Sequence, residues 1–138
     1  MIAIYAYVCA DLIHRGHLEH LKNCKALGDK LIVGVLTDEA IMEKKERPIM
    51  SFNERVDLVR SFEFVDAVVP QATYSPEKNA YEIRPDIVIE SNSHSAMLVD
   101  SVRNLCKKIG ARLIIMPYYP GHSSSGVKEK IIKEDKKR

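Results

Sequence analysis

The apolar run from Ile2 to Val8 constrains this chain most. Hydrophobic side chains fall at successive positions in it rather than at alternate ones. A strand apolar on both faces must be covered on both, which is the condition of a strand inside a parallel sheet. Further apolar runs follow at Leu31 to Leu36, Val65 to Val69, Ile87 to Ile89 and Leu113 to Met116. Helical patterns separate them. Leu18, Leu21, Cys24 and Leu27 recur every three residues, with Gly28 expected as a C-terminal cap. Ala40 to Glu46 reads as a short helix or lid segment broken by Arg47-Pro48. Ser51 with Glu54 three residues on has the capping-box pattern, ahead of Val56, Leu58, Val59 and Phe62. Ser95 to Ile109 reads as a helix, and a last one is expected from Gly126 to Lys136. Strands alternating with helices predict an α/β fold: a doubly wound sheet of about five parallel strands with helices on both faces. Ligands of such a sheet bind at the C-terminal ends of its strands.

A length of 138 residues with 46% hydrophobic content suits one domain spanning 1–138. The formal charge of +2 does not call for a nucleic-acid partner. No apolar run approaches the roughly 20 residues a membrane helix needs, and Met1 to Tyr5 lacks the basic region of a signal peptide, so no membrane partner and a cytoplasmic location are expected. Cys9, Cys24 and Cys106 are odd in number and far apart, which argues against a disulfide framework; Cys24 and Cys106 read as small buried fillers on helices.

After the first strand the chain runs Ala10-Asp11-Leu12-Ile13-His14-Arg15-Gly16-His17-Leu18 into the first helix. A helix starting at Gly16 or His17 points unpaired N–H groups and the positive end of its dipole at the sheet edge, where an anion can sit. Gly16 lets that backbone approach a phosphate. His14 and His17, three apart, would share a face if both lie in the first turn, and two imidazoles there can donate to phosphate oxygens. As a zinc pair they lack a matching second cluster, so no protein-held metal is expected. Asp11 is open to three readings, a magnesium ligand, a base acting through water, or a turn residue, with the turn preferred.

These residues resemble the nucleotidyltransferase superfamily that carries the His-x-Gly-His signature. The similarity also takes in Leu27-Gly28-Asp29-Lys30 through Thr37-Asp38-Glu39, and it is strongest toward cytidylyltransferases acting on glycerol phosphate or phosphonates. Adenylyl-transferring cousins that make ADP-heptose or FAD share the layout. The resemblance implies a Rossmann-like single nucleotidyltransferase domain that transfers a nucleoside monophosphate, CMP from CTP first and AMP from ATP as the alternative, to a phosphate- or phosphonate-bearing small molecule. Pyrophosphate leaves, magnesium serves as cofactor, and a homodimer is expected. A nucleotide-binding relative without catalysis is the other alternative. His14, His17 and Lys44 take catalytic roles; Cys9, Ala10, Asp11, Gly16, Asn92, Ser123 and Ser124 bind the nucleotide; Arg55 and His94 orient the acceptor or a phosphate, with a structural role the alternative for Arg55. Several positions depart from the family pattern. Cys9 replaces the usual hydroxyl, Glu63 stands for an arginine, Tyr118 or Tyr119 for another, and Ser91-Asn92-Ser93-His94 occupies the place of a Gly-Asp-Asp segment.

Overall fold

A computed structural model describes residues 1–117. Ser123, Ser124, Tyr118, Tyr119 and the helix expected over 126–136 lie outside the described residues. Five strands form one sheet: β1 (Ala3–Val8), β2 (Lys30–Leu36), β3 (Ala67–Gln71), β4 (Ile87–Ser91) and β5 (Arg112–Met116). Their order is β3-β2-β1-β4-β5 and every neighbouring pair is parallel. Between them run α1 (Arg15–Lys25), α2 (Asp38–Met42), α3 (Phe52–Arg60), α4 (Glu77–Ile83) and α5 (Ala96–Ile109). The chain winds outward from β1 to β3 and then returns past β1 to β4. The order therefore reverses between β1 and β4, the switch point at which sheets of this kind open a ligand crevice.

Alternation along the strands divides the core in two. Ile4, Ala6, Leu31, Val33, Val35, Ile87 and Ile89 pack with Leu21 and Cys24 of α1 and Val59 of α3. Tyr5, Tyr7, Ile32, Leu36 and Val88 pack on the other side with Ala40 and Ile41 of α2, Tyr74, and Leu98, Val102 and Cys106 of α5. Helices thus cover both faces, as the unbroken apolar pattern of β1 requires.

The local differences from expectation each have a physical cause. Residue α1 begins at is Arg15, one ahead of the expected start, because His14 itself caps it. Its buried side is Gly16, Leu21 and Cys24 only; Leu18 and Leu27 stay more than a third exposed. Gly28 is not a left-handed cap, since α1 ends at Ala26 in right-handed conformation. Instead a Cβ at Gly28 would meet Ile2 Cγ2 and Ile4 Cδ1 at 2.9 Å, so the glycine lets the turn press against β1. Thr37 starts α2 earlier than expected, its hydroxyl accepting from the Ala40 N–H at 3.2 Å. The third strand lies two residues later than Val65 to Val69, because Phe62, Phe64 and Val65 fold back onto the aliphatic core. Pro70 is tolerated in β3 because that strand is at the sheet edge. Ser51 caps α3 as expected, accepting from the Glu54 N–H, and Ser95 caps α5, accepting from the Leu98 N–H, each at 3.2 Å. No helix was expected at α4. It has no side-chain cap, only Ala80 buried, and ends at Arg84 in the left-handed region.

Candidate active site

The loop from Cys9 to Ile13 leaves β1 and is held in an unusual shape. Ala10 and Leu12, neither a glycine, have φ of 61° and 51°. Such backbone costs on the order of 1 kcal/mol or more per residue and persists only where surrounding contacts fix it. Three contacts do so. Asp11 is buried and accepts from the Ile49 N–H at 3.0 Å and the Met50 N–H at 2.9 Å. Where a turn residue bonding its own backbone was expected, these two bonds tie Asp11 to a segment almost forty residues away. The Leu12 N–H contacts Met50 Sδ at 3.2 Å. Arg55 Nη1 donates to the Cys9 carbonyl at 2.7 Å.

Arg55 is wholly buried. The same Nη1 donates to the Leu36 carbonyl at 2.7 Å, Nε to the Met50 carbonyl at 3.3 Å, and Nη2 to Asp38 Oδ1 at 2.7 Å. The guanidinium is therefore a clamp joining the ends of β1 and β2 to the segment before α3. The arrangement gives it a structural task, one of the two roles expected of it beside orienting an acceptor or a phosphate.

At the start of α1 the two imidazoles behave as capping side chains. His14 Nδ1 accepts from the Gly16 N–H at 3.0 Å, and His17 Nδ1 accepts from the His14 N–H at 3.2 Å. The rings lie 4.3 Å apart between centroids. A ring nitrogen that accepts a main-chain N–H carries no hydrogen, so in the neutral form each ring has its hydrogen on Nε2. Burial, together with the neighbouring His14 and His20 and Lys45, pushes His17 down to about 4 against the smaller opposing pull of Asp11. At neutral pH His17 is an uncharged donor. Nε2 of His14 is buried, so an oxygen accepting from it would sit deep in the loop. Gly16, also buried, stands at the helix start where its backbone was expected to approach a phosphate.

Lys44 and Lys45 follow α2 and are exposed. The Lys44 ammonium lies 5.0 Å over the Tyr74 ring, while Lys45 is the lysine whose charge is felt at His17. Across the switch point Asn92 is exposed and its N–H donates to the Met116 carbonyl at 3.1 Å. His94 is engaged through Nδ1 with Glu90, and Glu90 accepts from the Tyr7 hydroxyl at 2.5 and 2.8 Å. Neither Glu90 nor Tyr7 was singled out from the sequence. A glutamate and a tyrosine inside apolar strands, where only aliphatic residues are needed, were the available signal. The structure thus gathers Cys9, Ala10, Asp11, His14, Gly16 and His17 at the end of β1, and Asn92 and His94 just beyond the end of β4.

The family model for cytidylyltransferase-like domains matches residues 5–130. The chain belongs to this family. Within the cytidylyltransferase-like family it is similar to the bifunctional protein HldE of Helicobacter pylori, 34% identical over 93% of this chain and 27% of that protein. It is also similar to the HldE protein of Coxiella burnetii, 29% identical over 90% of this chain and 26% of that one. The chain spans about a quarter of the length of these curated relatives. Among solved structures, the lipopolysaccharide core biosynthesis protein of Thermoplasma volcanium superposes with a TM-score of 0.74 at 27% identity, covering 86% of this chain and 97% of that one. Pantoate-beta-alanine ligase from Francisella tularensis shares the fold at a TM-score of 0.59 and 13% identity, over 84% of this chain and 58% of its own. The cytidylyltransferase-like membership makes this a nucleotidyltransferase-type domain. Among the described residues no helix is long and apolar enough to cross a membrane.

Proposed function

We propose that the domain transfers a nucleoside monophosphate, AMP from ATP in the first reading, to a sugar phosphate with release of pyrophosphate. The observation that carries the transfer chemistry is the pair of capping imidazoles. Each Nδ1 accepts a main-chain N–H, which puts the hydrogen of each neutral ring on Nε2, at the positive end of α1 where a phosphate oxygen can accept. An oxygen of the acceptor phosphate attacks the α-phosphorus in line. The bond from that phosphorus to the bridging oxygen breaks, and pyrophosphate departs with the electron pair. Neutral donors fixed before the reaction stabilise charge that grows on the phosphate oxygens without reorganising. Lys44 and Lys45 supply positive charge from the loop beside them.

The preference for a sugar phosphate rests on the solved relative that is named for lipopolysaccharide core biosynthesis, a chain matched over nearly its whole length. Similarity to the HldE proteins agrees with the ADP-heptose side of the resemblance and so favours ATP. The second reading, CMP from CTP, is favoured by the family model itself. Magnesium enters this proposal as the counter-ion of the nucleotide. Asp11 and Glu90, the buried carboxylates at the two strand ends, bond to Ile49 and Met50 and to Tyr7 and His94. Among the described residues no group of three His, Cys, Asp or Glu is arranged to hold a metal. No step is assigned to a protein-held ion.

Thermal-shift measurements with ATP, CTP, GTP and UTP, each with magnesium, rank the nucleotides, because binding to the folded state raises the midpoint. ATP should give the largest rise, and pyrophosphate should then appear when a panel of sugar 1-phosphates is added. A largest rise with CTP moves the second reading ahead. Binding without pyrophosphate from any acceptor would leave a nucleotide-binding protein and overturn transfer.

A further inference from the structure

Glu90 is a charged side chain inside the sheet. It stands on β4 next to Tyr7 of β1, on the same face, since Tyr5 pairs with Val88 and the register carries on by two residues. Its side chain is completely buried, and its oxygens accept from the Tyr7 hydroxyl and meet His94 Nδ1. A buried carboxylate is costly unless it is hydrogen-bonded and paired, so this arrangement is maintained against the cheaper aliphatic alternative. Its effect is to fix His94. The imidazole lies along the Tyr7 ring, 5.8 Å between centroids and 28° between planes, and edge-on to Tyr74 at 6.1 Å. Glu90, Tyr7 and Tyr74 thereby set both the position and the tilt of the ring. With Nδ1 on Glu90, Nε2 is the nitrogen left to meet a ligand, and the side chain keeps 22% of its surface open.

The surroundings select the charge of that ligand. Glu90 lies fully covered beneath the ring, where the Tyr7 hydroxyl and the His94 imidazole bond to its oxygens and offset its charge. Lys44 sits over the other aromatic wall, Tyr74. From α1, His20 lies close enough to feel His94, and from α5, Cys106 feels Glu90. An imidazole with one nitrogen on a carboxylate can donate from the other to a phosphate oxygen and so bridge the two.

We infer that His94, held by the buried Glu90 and by Tyr7, is the group that binds the phosphate of the acceptor, with Glu90 and Tyr7 as its positioning residues. This rests on the transfer reading above and names the part of the site that receives the second substrate.

The test uses the whole chain saturated with a non-hydrolysable ATP analogue and magnesium, so that the cradle is filled, and inorganic phosphate as the probe. Imidazole nitrogen resonances are followed by NMR. Phosphate should shift the His94 Nε2 signal saturably while leaving His17 unmoved. Tyr7→Phe keeps the stacked ring and removes one donor from Glu90, and it should weaken the phosphate response several-fold. Glu90→Gln should weaken it more, and His94→Gln should remove phosphate binding while the analogue still binds. A His94 signal that does not respond, or an undiminished response in both Tyr7→Phe and Glu90→Gln, overturns the inference and leaves His94 a packing residue. Failure of the underlying transfer reading shows separately, as no shift of His17 when the analogue itself is added.

Discussion

The two faces of the sheet bury different chemistry. The face under α1 and α3 is aliphatic: Ile4, Ala6, Leu31, Val33, Val35, Ile87 and Ile89. The opposite face holds Tyr5, Tyr7, Gln71 and Glu90, all buried, in hydrogen-bonded groups. The Tyr5 hydroxyl donates to Gln71 Oε1 at 2.5 Å and accepts from Asn79 Nδ2 at 3.0 Å, and Gln71 Nε2 donates in turn to the Thr73 and Tyr74 carbonyls, each at 3.1 Å. Aliphatic packing is tolerant of detail and fastens the helices. Buried polar groups tolerate little, and they place particular side chains, Tyr74 and His94 among them, at the crevice. Burial pushes both the Tyr5 and the Tyr7 hydroxyls well up, with Glu90 adding to the effect on Tyr7, so both remain protonated donors.

The comparison can be broken most strongly where one charged side chain crosses it. Arg55→Ala removes the donors for the Cys9, Leu36 and Met50 carbonyls and leaves Asp38 without its arginine, and it should cost about 3–5 kcal/mol in urea unfolding. A loss within the range of an ordinary surface change would mean that the clamp is dispensable.

His17, at the start of the helix on the aliphatic face, gives the next effect and a pH signature. Its folded value of about 4 lies below the ordinary imidazole value near 6.5, so between these the unfolded chain binds more protons. Stability should fall by about 3 kcal/mol as pH drops from ~6.5 to ~4, with no further loss from this group below that. His17→Asn keeps an oxygen for the capping bond and should flatten that part of the profile, as denaturation at several pH values would reveal.

Smaller changes sharpen the contrast between the faces. Val33→Ala on the aliphatic side should cost about 2 kcal/mol while nucleotide binding per folded molecule is retained. Tyr5→Phe on the polar side should cost only about 1 kcal/mol, yet hydrogen exchange should speed up at Thr73 and Tyr74, because Gln71 loses its fixed partner. Equal local loosening in the two variants would remove the distinction. Gly34 belongs to the same network: an added Cβ would run into the Tyr5 hydroxyl and come within 2.9 Å of Gln71 Oε1.

What could be read from the sequence follows the same division. Periodicity reports hydrophobic faces, so the five strands, four of the five described helices and the parallel sheet were legible, as was the gathering of Cys9 to His17 at the end of β1, residues adjacent in the chain. Boundaries moved where a side chain met something distant, as when Phe62 and Phe64 folded onto the core and delayed β3. Glu90 and Tyr7 were not legible because their meaning depends on register between strands more than eighty residues apart. Arg55 was visible as a family residue, but its burial depends on three carbonyls from separate segments, those of Cys9, Leu36 and Met50. The left-handed Ala10 and Leu12 had no glycine or asparagine to announce them.

The account turns on the cradle presenting uncharged imidazole donors to a triphosphate. Nitrogen NMR of the imidazole rings at neutral pH, before and after addition of ATP with magnesium, tests that most directly. It should show His17 neutral with its hydrogen on Nε2, and that signal should shift on ATP binding. A positively charged His17, a hydrogen on Nδ1, or an unchanged signal once ATP is bound would contradict the account.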